Sequence, residues 1–130
     1  EGMTAVDSVV LSKELKARGC DLIDVSSAGN VPESKPVYGR MYQVPFAERI
    51  RFEAEMPTMA VGAIQGSDHC NTVLAAGRAD LCALARPHLY DPYLTLHAAD
   101  RYGEAVESGA ARWPDQYLAG ARRAGGPIDV

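Results

Sequence analysis

The chain has 130 residues, 47% hydrophobic and 23% charged, and a formal net charge of −4 from 13 basic and 17 acidic residues. Those proportions exclude a chain disordered throughout and leave room for one globular domain with a core. The charges form no basic stripe and no apolar run nears the roughly 20 residues that span a bilayer, which argues against nucleic acid and membrane as partners.

Thr4-Ala5-Val6-Asp7 reads as a capping box, with Thr4 free to hold an open N–H and Asp7 in the positive first turn. From Asp7 to Arg18 the residues Val10, Leu11 and Leu15 recur among lysines and a glutamate, which predicts a helix that Gly19 stops. Cys20 to Val25 is short and apolar, a buried strand that runs into Ser26 and Ser27. Asp24 within it would be costly if buried, so it either anchors a backbone amide or serves a site.

The stretch from Ser26 to Val44, with Gly29, Pro32, Pro36 and Gly39, is too long for a plain connector and points to a functional loop or to disorder. Pro45 opens a second helix that carries Phe46, Ala47, Ile50 and Ala54. A second strand follows over Pro57–Val61, ended by Gly62, and then a helix capped by Ser67 and closed by Gly77. Ala79–Leu84 is the third strand, and Asp91-Pro92 starts a last helix that runs to about Tyr102. Beyond Gly103 the pattern fades, with Trp113, Pro114 and Tyr117 as the expected anchors.

Helices alternating with near-continuous apolar strands imply an α/β fold with a parallel sheet covered on both faces. Sites in such folds form at the carboxyl ends of the strands. Here those positions are Ser26 and Ser27, then Gly62 to Gly66, then Ala85 to Leu89. Glycines before a helix start favour an anion, and Arg86 adds a planar donor fork suited to phosphate. An arginine in Arg86's place after a strand is more often a surface ion pair, and Ser26 and Ser27 more commonly cap the loose groups of a strand end. His69, His88 and His97 share no metal-ligand spacing and read as structural or exposed, so no metal is expected. Cys20, Cys70 and Cys82 form no CxxC and cannot all pair, which suits a reducing cytoplasm. The opening Glu-Gly-Met-Thr does not read as a signal peptide.

The strings Asp21-Leu22-Ile23-Asp24-Val25-Ser26-Ser27, Tyr42-Gln43-Val44-Pro45-Phe46-Ala47-Glu48 and Met59-Ala60-Val61-Gly62 resemble the old yellow enzyme family of NADH:flavin oxidoreductases. Gly77-Arg78-Ala79-Asp80-Leu81, Ala85-Arg86-Pro87 and Asp91-Pro92-Tyr93 extend the resemblance, which runs in order from about Gly2 to Tyr117. It implies a partial TIM (β/α)8 barrel over residues 1–103, the last three strands with their helices, followed by an extension over 104–130. Pro36 to Gln43, Pro87-His88-Leu89 and Trp113 to Tyr117 resemble the flavoprotein domain of bifunctional salicyloyl-CoA 5-hydroxylase/oxidoreductases.

The resemblance implies FMN as cofactor, NADH or NADPH as reductant, and an activated enone or an aromatic CoA thioester derivative as substrate. It assigns the FMN phosphate to Arg86 with Gly62, Ala85 and Ser26 beside it, and it leaves the catalytic residues unknown. The family's substrate-gripping histidine pair or histidine/asparagine motif and its tyrosine proton donor belong to the first half of the barrel and have no match here. One departure falls at the site: Ala85-Arg86 stands where the family usually has Gly-Arg, and a methyl group limits how closely the backbone approaches a phosphate. Three barrel strands leave an open edge, so a non-catalytic half-barrel that self-associates or docks on a partner subunit is the competing expectation.

Overall fold

The computed structural model describes residues 2–27, 29–102 and 113–117. The chain divides into two compact units, residues 1–90 and 91–130.

The first unit begins with α1 (Ala5–Ala17). Its capping box is complete: the Thr4 hydroxyl accepts from the Asp7 amide, and the Asp7 carboxylate accepts from the Thr4 amide at 2.8 Å. Gly19, at φ +90°, ends the helix as expected. Three short strands follow, β1 (Ile23–Val25), β2 (Thr58–Ala60) and β3 (Leu81–Cys82), separated by α2 (Val44–Glu53) and α3 (Ser67–Ala75). They form one parallel sheet in sequence order, with Asp24 beside Met59 and Met59 beside Leu81. Parallel neighbours joined by helices are compatible with a segment of a barrel.

The expectation of a sheet covered on both faces is corrected by its burial. Val25 and Ala60 sit in the core with Val44, Ala47, Ile50 and Val73. The next row across the sheet behaves oppositely: Asp24 is exposed, Met59 is half-buried and Leu81 is 48% exposed. Side chains alternate between faces with period two, so one face carries the core and the other stands open. Asp24 is therefore not buried. The third strand is also shorter than expected, because only Leu81 and Cys82 pair with β2.

Ser67 does not cap α3 with its side chain. Gly66 occupies the cap position in extended backbone, φ 172°, and Ser67 is the first helical residue. A short helix that the periodicity did not reveal, α4 (Arg86–Tyr90), follows β3. Its signal was Pro87, which a helix tolerates in its first turn.

The amino ends of the strands are tied by charge. Asp80, just before β3, accepts from Arg51 Nε at 3.0 Å and from the Thr58 amide at 2.9 Å. The Arg51 hydrogen bond, then the Thr58 amide, hold the Asp80 carboxyl below its ordinary pKa. A lowered carboxylate pKa adds stability above the unfolded value near 3.9, and that stability is lost as pH falls through the folded value. The stability gap between the protein and its Asp80→Asn variant should thus hold constant from neutral to about pH 5 and narrow below about pH 4. Urea midpoints across that range check this, and a gap that widens in acid would contradict it.

The three cysteines are free and half-buried. Burial pushes the Cys70 thiol up and the Cys82 thiol up to about 12, so both stay protonated and unreactive at neutral pH. No helix among the described residues is long and apolar enough to cross a membrane.

In the second unit, Asp91 accepts from the Tyr93 amide at 3.0 Å and meets His97 Nδ1 at 2.7 Å. The helix itself, α5 (Leu94–Tyr102), starts one turn after Asp91. Trp113 donates to Asp100 at 2.6 Å and packs against Tyr93 and His97, while the Tyr93 and Tyr117 hydroxyls lie 2.9 Å apart. Trp113 and Tyr117 thus act as anchors within this unit. The rest of the expected extension over 104–130 lies outside the described residues.

Candidate functional site

A wide cavity of about 1120 Å³ opens beyond the carboxyl ends of β2 and β3. Three sources line it. Val61, Gly62, Ala63, Ile64 and Gln65 follow β2, Ala85, Arg86, Pro87 and Tyr90 follow β3, and Tyr38, Gly39, Arg40 and Tyr42 come from the long loop between β1 and α2. The end of the sheet opposite the Asp80 cluster is therefore the end that carries the cavity.

Gly62, Ala85 and Arg86 are brought together there, as their positions after adjacent strands predict. Ser26 is not: it is exposed and does not line the cavity. Its neighbour Ser27 turns inward instead, because successive residues leaving a strand point to opposite sides.

The inward partner of Ser27 is a residue that the sequence reading passed over. Gln43 is 3% exposed, and its Oε1 accepts from both the amide and the hydroxyl of Ser27, the latter at 2.8 Å. Its Nε2 donates to the Val61 carbonyl at 3.1 Å. One buried amide thereby fastens the end of β1 to the end of β2, with all its polar atoms employed. The signal available in the sequence was weak: a glutamine before Pro45, at a helix start, reads as exposed.

Gly62 takes φ +106°, and a Cβ built on it would overlap the Gln43 amide nitrogen. Both the backbone angle and the space require glycine here. Ala63 and Met41 also have positive φ, 51° and 55°, and the Met41 amide donates to the Ala63 carbonyl at 3.3 Å. Strained residues of this kind cost about 1–3 kcal/mol each and gather at functional sites.

The charge of the cavity is one-sided. Arg40 and Arg86 line it, and among the described residues no aspartate or glutamate does. Among the described residues neither guanidinium has an ion-pair or hydrogen-bond partner, whereas Arg18, Arg49, Arg51 and Arg78 are all paired. Arg40 was a second omission, since its place in the loop gave no hint that the turn folds back over β2. The arrangement suits an anion: two planar donor forks, a glycine-bearing loop and aromatic rings from Tyr38, Tyr42 and Tyr90. No group of three or more metal-ligating side chains gathers among the described residues.

No protein-family model matches the chain. Curated relatives do. The NADPH dehydrogenase of Geobacillus sp. (strain WCH70) is 46% identical over 108 residues, and that of Geobacillus thermodenitrificans (strain NG80-2) is 45% identical over 122 residues. The NADPH dehydrogenase of Halalkalibacterium halodurans is 42% identical over 111 residues. These matches cover 83%, 94% and 85% of this chain but 32%, 34% and 31% of the relatives, so the chain spans about a third of their length. Identity at this level over most of the chain supports the old yellow enzyme family read from its motifs.

Proposed function

We propose that the chain supplies the phosphate-binding part of an FMN-dependent, ene-reductase-like NAD(P)H oxidoreductase, folded as the last three βα units of a TIM barrel. The observation that carries the reading is the cavity in which Arg40, Arg86 and Gly62 meet beyond adjacent parallel strands, with no carboxylate lining it among the described residues. Loops after the last two barrel strands commonly form phosphate sites. The names of the relatives favour NADPH as reductant.

The residues present fit the phosphate end of FMN. Arg86 offers two parallel N–H donors to two oxygens, and the Gly62 and Ala85 backbones line the same space. Ala85 is exposed, so its methyl group narrows the site without blocking it. When bound, FMN supplies the hydride chemistry, and these residues hold and orient it. The open row Asp24, Met59 and Leu81 lies on the face away from α2 and α3, which in a closed barrel would be the interior, and this supports the reading.

The finer reading of the substrate, an aromatic CoA thioester derivative as in the salicyloyl-CoA 5-hydroxylase branch, rests on the string Pro36 to Gln43. That string contributes Tyr38, Gly39, Arg40 and Tyr42 to the cavity wall.

A second reading, a non-catalytic half-barrel that docks on a partner subunit or on itself, draws on the same open sheet face. One experiment separates the two. The purified 130-residue chain is assayed for bound flavin by absorbance, for mass by sedimentation, and for enone reduction with NADPH and added FMN. Flavin bound together with a larger polypeptide favours the first reading, and an FMN-free oligomer favours the second. Under both, turnover should not exceed that of free FMN, because the substrate-gripping pair and proton donor have no counterpart here. Full-length protein that retains no FMN would overturn the flavin reading. Turnover by the monomeric chain would overturn the claim that it is only the phosphate-binding part.

A further inference from the structure

The geometry points to Arg40 as a second phosphate-binding residue, which closes with Arg86 on one phosphate dianion from opposite sides of the Gly62–Gln65 loop. For its ligand this rests on the flavin reading above; for its geometry it does not.

Three observations place the two arginines across from each other. The Met41 amide bonds the Ala63 carbonyl, so the residue before it stands beside the loop that leaves β2. On the other side, the Ala83 amide bonds the Ala60 carbonyl at 2.8 Å, which holds the chain leaving β3 against the carboxyl end of β2, three residues before Arg86. Adjacent strands stand about 4.8 Å apart, so the strands flanking β2 are about 9.6 Å apart, a span that two long guanidinium side chains bridge from both sides. Both arginines line the one cavity.

Charge makes the pair more than a coincidence of placement. A phosphate monoester carries about −1.5 to −2 at neutral pH, which one guanidinium leaves half-compensated and two neutralise. Among the described residues, no carboxylate lines the cavity to take up the second positive charge and neither arginine has a partner. The turn that presents Arg40 is also held firmly. Met41 is kept at φ 55°, and Gln43, two residues on, is buried and bonded to both Ser27 and Val61.

The test compares FMN with riboflavin, which lacks the phosphate, by fluorescence titration of the full-length polypeptide. Arg40→Gln should weaken FMN about 10-fold and leave riboflavin unchanged, with Arg40→Lys recovering part of the loss. The Arg40→Gln/Arg86→Gln double variant should bind FMN no better than riboflavin. If Arg86→Gln weakens FMN and Arg40→Gln does not, the clamp is refuted and the flavin reading survives. Equal losses for FMN and riboflavin in Arg40→Gln would show a structural residue and also refute it. Should the wild type bind no FMN, the flavin reading falls, and calorimetry with inorganic phosphate decides the clamp alone. Phosphate binding that Arg40→Gln weakens upholds it, and no binding overturns it.

Discussion

Gly62→Ala is expected to destabilise the protein by about 2–4 kcal/mol. The positive φ of +106° costs an L-residue about 1–2 kcal/mol by itself. The new methyl group would also press on the Gln43 amide, which cannot swing aside because it is buried and bonded at both ends. Disturbing those bonds strands the Ser27 amide and the Val61 carbonyl, at about 1–3 kcal/mol for a buried group left unmade. Denaturant midpoints at constant m-value measure the loss. Gly39→Ala is the control: it has open space and no positive φ, and it should change stability by less than about 0.5 kcal/mol. Combining Gly62→Ala with Gln43→Ala tests the cause, since two residues that lose the same contact should sum to less than their separate costs. Strict additivity would show that Gln43 is not what Gly62 protects.

Arg86→Ala should weaken FMN by about 1.5–3 kcal/mol, roughly 10- to 150-fold, while the melting temperature of the flavin-free protein stays where it was. The affinity loss follows from removing a charge-assisted, two-pronged contact. The unchanged fold follows from the exposure of Arg86, which has no ion-pair partner among the described residues. Flavin titration and calorimetry on the same preparation read both quantities. An unchanged FMN affinity would refute the assignment, and a fall in flavin-free stability would reveal a structural ion pair in its place.

The two substitutions probe one surface in different ways. Gly62 sets the backbone path that lets the loop after β2 pass over Gln43, and Arg86 supplies charge to the space that this path leaves. Asp80 works at the far end of the same strands, where it joins Arg51 to the start of β2. The Arg51–Asp80 ion pair thus lies at the amino ends of the strands, and the cavity opens beyond their carboxyl ends, where ligand sites in barrels form.

Local features were legible in the sequence because they depend on neighbours along the chain. The Thr4 and Asp7 capping box, the stop at Gly19, the Pro45 helix start and the turn at Gly77 each involve residues within four positions. The order of helices and strands followed from periodicity, and with it the meeting of Gly62, Ala85 and Arg86 beyond adjacent strand ends. What tertiary structure alone decided involves residues brought together from afar. Ser27, Gln43 and Val61 are 16 and 18 positions apart in the chain yet share one amide. The turn at Arg40 lines the cavity, and Met41 beside it bonds to Ala63, 22 positions further along the chain. Which face of the sheet stands open depended on the burial of whole rows across three strands. A row such as Asp24, Met59 and Leu81 exists only once the strands are in register.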